Sequence, residues 1–308
     1  MKSGSRLEKI LSSGQFAVTG ECGPPRSADP EVVKKKAAHL KGVVDSVNVT
    51  DNQTAVVRMS SFAGCLLLMQ EGLEPNLQMV VRDRNRIAIQ SDILGAYALG
   101  VRNMLCLSGD HQKFGDHPSA KNVFDLDSMQ LIQTVKKMRD EGKFINDQEI
   151  EYPPKMFIGA AANPFADPAE FRAVRLGKKV AAGVDFVQTQ CIYNMDRFEK
   201  FMQQVRDMGL DEKVYILGGV TPMKSVGMAN YMKNLVPGMD VPVELIDRLK
   251  GVPKKEQAKE GIAICIETIQ RLKEMKGIAG VHIMAIEWEE RVPEITEMAG
   301  LLPRPQVD

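Results

Sequence analysis

Histidine is scarce in this chain of 308 residues, with only His39, His111, His117 and His282. Neither an H-x-H nor a C-x-x-C pair occurs, so no metal site or iron–sulfur centre is expected within the chain itself. The five cysteines, Cys22, Cys65, Cys106, Cys191 and Cys265, stand singly and read as reduced thiols filling the core. Net charge is also missing: 40 basic residues balance 40 acidic ones, and the longest basic run is the three lysines at 34–36. Nucleic-acid and membrane-surface roles therefore receive no support. No apolar segment reaches the length of a membrane span, and the opening MKSGSRLEKI has no apolar signal core, so a cytoplasmic protein is expected. A G-x-S-x-G elbow and a G-x-G-x-x-G dinucleotide loop are both absent, which argues against a serine hydrolase and against a Rossmann site.

What the chain does contain is alternation. Strand-like runs fall at 15–20, 45–50, 77–82, 103–108, 156–162, 186–190, 214–219 and 280–286, and helix-like patterns fill the gaps at 30–40, 54–70, 86–99, 128–141, 168–182, 195–208, 223–235 and 255–276. Asp29-Pro30 and Asp167-Pro168 read as helix starts, while Gly72, Gly100 and Gly183 read as helix stops. Eight β/α units of roughly 30 residues predict a single (β/α)₈ TIM barrel spanning 1–308. An open doubly wound sheet is the rival, but it would leave edge strands less apolar than 214–219 or 280–286. A further apolar segment at 241–249 fits a short extra helix before the last long one.

One stretch stands out, FAVTGECGPP at 16–25. A buried strand runs into a lone carboxylate, Glu21, and stops at Cys-Gly-Pro-Pro, which places the acid at the strand's carboxyl end, where α/β barrels do their chemistry. The other strand ends add Thr50, Asp51, Asn52 and Gln53; Gln78 and Asp83; Ser108, Gly109, Asp110 and His111; Asn163; Gln188, Thr189 and Gln190; and Glu287. These are mostly amides, hydroxyls and single acids. The strand runs carry no lysine for Schiff-base chemistry. At Leu107-Ser108-Gly109-Asp110 a glycine lets backbone approach a ligand closely, and an acceptor suits ring N–H groups. The set favours an organic cofactor, with Glu21 available for proton transfer. Lys178-Lys179 reads either as a solvated pair at a helix end or as a phosphate contact.

Read in order, Glu21 with Pro24-Pro25, VNVT ending at Thr50, LSGD ending at Asp110, Asn163-Pro164 to Asp167-Pro168, KKVAAG at 178–183, QTQ at 188–190 and Gly218 to Pro222 resemble the methylenetetrahydrofolate reductase family. The resemblance covers about residues 15–290. Through ECGPP, NVTDNQTAVVRMSS and HIMAIEWEE it is most similar to the branch found in acetogenic bacteria. It implies a flavin-carrying barrel that reduces 5,10-methylenetetrahydrofolate to 5-methyltetrahydrofolate. It also implies roles for particular residues. Glu21 matches the acid that protonates N10 of the folate, and Asp110 the aspartate between flavin and pterin. Thr50 and Gln78 match flavin contacts, as do Ser108, Gly109 and Asn163 through their segments. Lys179 matches a lysine on the cofactor phosphates, and Gln190 a glutamine on the folate.

The departures from the family pattern are informative. Ser108 replaces the arginine of R-G-D, and Asn163 and Asp167 replace an aromatic and a histidine, so FMN stands beside FAD as the expected cofactor. Met284 and Trp288 occupy positions of a tyrosine and an arginine on the folate tail, and Trp288 either stacks on a ligand or packs under a loop. Val226 takes the place of a phenylalanine on which nicotinamide stacks. The resemblance therefore implies electrons delivered by an iron–sulfur partner subunit, and an oligomer is expected. Two other readings remain: a flavin barrel acting on another pterin one-carbon carrier, and a non-catalytic barrel subunit of a larger complex.

Overall fold

Short runs of small and β-branched residues become eight strands in a computed structural model that describes residues 1–307. In chain order the elements are α1 (Arg6–Ser12), β1 (Ala17–Cys22), α2 (Glu31–Leu40), β2 (Ser46–Val49), α3 (Ser61–Gln70), β3 (Pro75–Val80), α4 (Arg86–Ala98), β4 (Asn103–Leu107), α5 (Ser128–Asp140), β5 (Phe157–Ala162), α6 (Phe171–Ala182), β6 (Phe186–Cys191), α7 (Met195–Asp207), β7 (Tyr215–Val220), α8 (Val226–Leu235), α9 (Val243–Lys250), α10 (Gln257–Glu274), β8 (Gly280–Ile283) and α11 (Val292–Met298). All strand pairs are parallel, and β8 pairs with β1 through Ala17 and Gly280, so the sheet closes into a barrel. Closure decides against the open-sheet rival. It also fits the apolar character of every strand, since a barrel has no edge.

Residue parity builds the interior in layers. Val18, Val47, Leu77, Met104, Ile158, Val187, Ile216 and Val281 face outward into the apolar shell under the helices. Facing inward at the amino-terminal end, Ala17, Leu105, Phe157, Phe186 and Leu217 pack with Leu7, Ile10 and Leu11 of α1, which plugs the barrel floor. One step higher the layer is polar and fully buried: Thr19, Asn48, Asn76, Gln188 and His282. The carboxyl-end layer, with Glu21, Gln78, Gln190 and Met284, lines the mouth.

Several boundaries differ from the sequence reading. The helix expected over 54–70 begins at Ser61, because the Ser60 hydroxyl accepts from Ala63 N. The preceding residues form a 3₁₀ turn, Gln53–Ala55, with Asn52, Thr54 and Ala55 at positive φ. After Asp167-Pro168 the helix starts only at Phe171. At the other pair Pro30 itself is the cap, and the Asp29 carboxylate accepts from Glu31 N. The eighth strand ends at Ile283, so Glu287 lies in the loop beyond it at φ 49°. The extra helix near 241–249 is α9, and Gly72, Gly100 and Gly183 all sit at positive φ as helix stops. The terminal helices α1 and α11 had no counterpart in the strand–helix alternation.

Candidate functional site at the barrel mouth

The nine residues to which the resemblance gives roles converge on two adjoining cavities. A cavity of about 340 Å³ is lined by Glu21, Gln78, Ser108, Asn163, Lys179 and Gln190, together with Leu105, Leu107, Ala161 and Met284. A neighbouring one of about 270 Å³ is lined by Thr50, Gly109 and Asp110, sharing Glu21, Gln78 and Ser108 with the first. A third, of about 50 Å³, lies between Glu21, Lys36, Arg58 and Glu287. Among the described residues, Glu21 alone lines all three. Its side chain is 11% exposed, so the carboxylate is mostly withdrawn from water yet open to a ligand.

The loops that carry these groups are tied down by charged residues. Arg82, buried near the start of the loop after β3, donates from Nη1 to the Asp110 carbonyl at 3.0 Å and from Nε to Asp83 at 2.8 Å. Asp51 accepts from Val80 N at 3.0 Å and from Arg84 Nη1 at 2.6 Å. Together these bonds link the loops after β2, β3 and β4 and leave the Asp110 carboxylate exposed at the rim. Gly109 has φ 84°, and a Cβ there would lie 2.9 Å from Val80 Cβ, so the backbone passes where no side chain fits. On the far side, Lys224 Nζ donates to the carbonyls of Ile286 and Glu287 at 3.0 Å, and Glu287 pairs with Lys36 at 3.3 Å.

Two features look toward a missing ligand. The Thr50 hydroxyl is buried and has no hydrogen-bond partner, which is costly unless something else satisfies it. Lys179 is only 7% exposed, and its Nζ donates to the Ala161 carbonyl at 2.5 Å; among the described residues it forms no ion pair, and Asp127 acts on it only at a distance. Burial, and then the nearby Arg175 guanidinium, pull its pKa down to about 8. The two lysines at 178–179 therefore part company. Lys178 is exposed over the Phe171 ring, whereas Lys179 turns inward and lines the larger cavity with Arg172 and Arg175.

Other expectations find their places. All five cysteines are free and buried, and burial pushes the Cys22 and Cys191 thiols up to about 12. Trp288 lies between Lys224 and Arg291, 5.3 and 5.7 Å from its ring, and packs on the core without lining any of the three cavities. Val226 starts α8 and packs with Met223 and Met228 in a satellite core. Among the described residues no helix is long and apolar enough to cross a membrane.

The sequence reading passed over Arg82, Arg84, Arg172, Arg175 and His282 as site residues. For the arginines no local signal exists, since each looks like a solvated surface residue. For His282 the signal was parity: 280, 282 and 284 share one face of β8, as do 17, 19 and 21 on β1.

Comparison with known proteins follows the same line. The methylenetetrahydrofolate reductase family profile matches residues 6–300. A "probable methylenetetrahydrofolate reductase (NADPH)" of Caenorhabditis elegans is 24% identical, over 96% of this chain and 44% of that protein. A "5,10-methylenetetrahydrofolate reductase" of Pectobacterium carotovorum subsp. carotovorum is 23% identical, over 74% of this chain and 75% of that one. The chain thus spans less than half the length of the nematode relative. Among solved structures, an uncharacterized protein from Clostridium thermocellum, described as binding two copies of 5-methyl-5,6,7,8-tetrahydrofolic acid, superposes with a TM-score of 0.65 at 14% identity, covering 97% of this chain and 99% of that one. That likeness shows the barrel fold. With the family profile matched across nearly its whole length, this chain belongs to the methylenetetrahydrofolate reductase family.

Proposed function

We propose that this chain reduces 5,10-methylenetetrahydrofolate to 5-methyltetrahydrofolate, with a flavin held in the mouth and Glu21 as the proton donor. The observation that carries the reading is the position of Glu21, a largely buried carboxylate at the junction of the three cavities. Family membership supplies the reaction class.

The residues present suit a flavin. Thr50, with a hydroxyl unpartnered among the described residues, and Gln78, Gly109 and Asp110 would hold the ring end, while Lys179, whose ammonium meets a carbonyl rather than an ion-pair partner among the described residues, would meet a phosphate. When bound, the flavin supplies the hydride for the one-carbon unit. Glu21 holds the proton that the substrate's N10 needs for its five-membered ring to open. Gln190, lining the same cavity, would orient the pterin. Leu105, Leu107, Ala161 and Met284 form an apolar wall that limits water at the reacting carbon. FAD is the cofactor by family. FMN is a second reading, favoured by Arg172 and Arg175 beside Lys179, since three cations suit a terminal phosphate dianion. The five cysteines are buried and singly placed, so an iron–sulfur route for electrons would run through a partner subunit, as in the acetogenic branch that the sequence resembles.

Glu21→Gln tests the assignment, because it keeps shape and hydrogen bonding but has no proton to give. With reduced viologen as donor, turnover of methylenetetrahydrofolate should fall by roughly 10²–10⁴ while the flavin stays bound. Near-normal turnover would return Glu21 to a loop-capping role.

A further inference from the structure

Below Glu21 the barrel carries a buried histidine. His282 is 3% exposed. Its Nδ1 lies 3.0 Å from Thr19 Oγ1, and its Nε2 lies 3.5 Å from Asn48 Nδ2 and 3.7 Å from Glu21 Oε2. Thr19 Oγ1 accepts from Gln188 Nε2 at 3.0 Å, and Asn48 Nδ2 donates to Gln188 Oε1 at 2.6 Å. The amides and hydroxyl around the ring are therefore neutral and already committed to one another. Among the described residues, Glu21 is the charged group within ion-pair range of the imidazole.

A buried histidine is often just a satisfied core residue, with both nitrogens on fixed partners. Here Nδ1 has such a partner in Thr19 at 3.0 Å, whereas Nε2 has only a long 3.5 Å contact with Asn48 Nδ2, an amide already held by Gln188 at 2.6 Å. The 3.7 Å approach of Nε2 to Glu21 is too long for a hydrogen bond, yet catalytic hydrogen bonds are often long without substrate and tighten in the complex. A polar layer is also costly inside a barrel, where branched apolar side chains normally fill the same positions.

We infer that Glu21 and His282 hold one transferable proton between them, with His282 the positioning residue that aims and reloads the acid. In the loaded pair, Nδ1–H is donated to Thr19 and the second proton lies between Nε2 and Oε2. As the substrate amine is protonated, the shared proton settles on Oε2, so that any Nε2–H bond breaks as the Glu21 O–H bond forms. That O–H bond then breaks as an N–H bond forms on the substrate, leaving a Glu21 carboxylate and a neutral imidazole protonated on Nδ1. After product leaves, water at the open mouth supplies the next proton. The functional role rests on the proposed reductase reading, but the pairing itself can be tested without substrate.

The other titratable groups that share a cavity or a field with Glu21 are Lys36 from α2, Arg58 from the loop after β2, Glu287 and Glu289 beyond β8, Asp51, Arg82 and Asp110 from the loops after β2, β3 and β4, Arg172, Arg175 and Lys179 from α6, and the Cys22 and Cys191 thiols on β1 and β6. Beside the imidazole itself, β1, β2 and β6 place only Thr19, Asn48 and Gln188. The first measurement is NMR on the whole chain as purified, with ¹⁵N-histidine and ¹³C-glutamate, assigned with His282→Gln and Glu21→Gln. In a coupled pair, both nuclei report the same two titration steps, and Glu21→Gln should leave His282 with one. Independent single steps at Glu21 and His282 in the unmodified protein would overturn the pairing whether or not the chain reduces folate. The second measurement is a double-mutant cycle on single-turnover methylenetetrahydrofolate reduction. His282→Gln should slow the step about tenfold, and adding it to Glu21→Gln should change the rate less than about twofold. Multiplying effects would overturn the shared proton. His282→Asn, which keeps a contact toward Thr19 but withdraws from Glu21, should match His282→Gln, and full activity in it would count against the inference.

Discussion

Replacing Lys179 with methionine should make the ligand-free protein more stable and the flavin complex weaker. In the structure the ammonium is buried and meets a carbonyl oxygen instead of an anion, and desolvation, aided by Arg175, lowers its pKa from 10.5 to about 8. Such a lysine carries a cost of ~3 kcal/mol at neutral pH. Below pH 8 it is charged in both folded and unfolded chains, and the whole cost is felt. Between pH 8 and 10.5 the folded protein has shed a proton that the unfolded chain still binds, so stability climbs with pH across that window and levels off above it. Lys179→Met should abolish the climb. At pH 7 it should gain ~2 kcal/mol, after about 1 kcal/mol is subtracted for the lost bond to Ala161. Losing one charged hydrogen bond to a phosphate, worth about 1.5–3 kcal/mol, should weaken flavin binding roughly 10- to 100-fold. Denaturant unfolding of flavin-free protein at pH 7 and pH 10, with flavin titration of both proteins, measures every quantity. A variant less stable than the parent at pH 7, or one that binds flavin equally well, would refute the argument that this charge is kept for a ligand.

Further outcomes follow from other sites. Gly109→Ala forces a left-handed conformation on a residue whose Cβ meets Val80; it should cost about 2 kcal/mol or more and loosen flavin retention, and unchanged retention would separate this loop from the cofactor. Arg304 donates through Nε and Nη2 to the buried Asp45 carboxylate, clamping the carboxyl-terminal segment under the barrel. Arg304→Met should therefore destabilise by about 3 kcal/mol in thermal or denaturant unfolding, and a neutral effect would show that Arg6 and Val18 N suffice for Asp45. Because Val226 packs with methionines rather than offering a stacking surface, stopped-flow mixing with NADH should leave the flavin oxidised while reduced viologen bleaches it. Bleaching by NADH within milliseconds would overturn supply through a partner.

The sequence by itself determined the repeating unit and its direction. Apolar runs bounded by glycine and proline, glycines where helices stop and an acid before Cys-Gly-Pro-Pro were enough to place Glu21, Thr50, Asp110 and Gln190 at one mouth, because in a parallel barrel all strand ends meet on one face. Local patterns misjudged helix starts, as at Ser60 and Phe171, where a serine cap or an intervening turn outweighed apolar spacing. What the chain could not show was which polar groups meet inside. Thr19, Asn48, Gln188 and His282 lie as much as 263 residues apart, and they touch only because β8 closes on β1 and the register brings Thr19 opposite His282. Burial of Lys179 and exposure of Lys178 were likewise settled in three dimensions. Adjacent residues on a helix point about 100° apart, so only the packing of α6 against the barrel decides which lysine keeps its water and which is held for an anion.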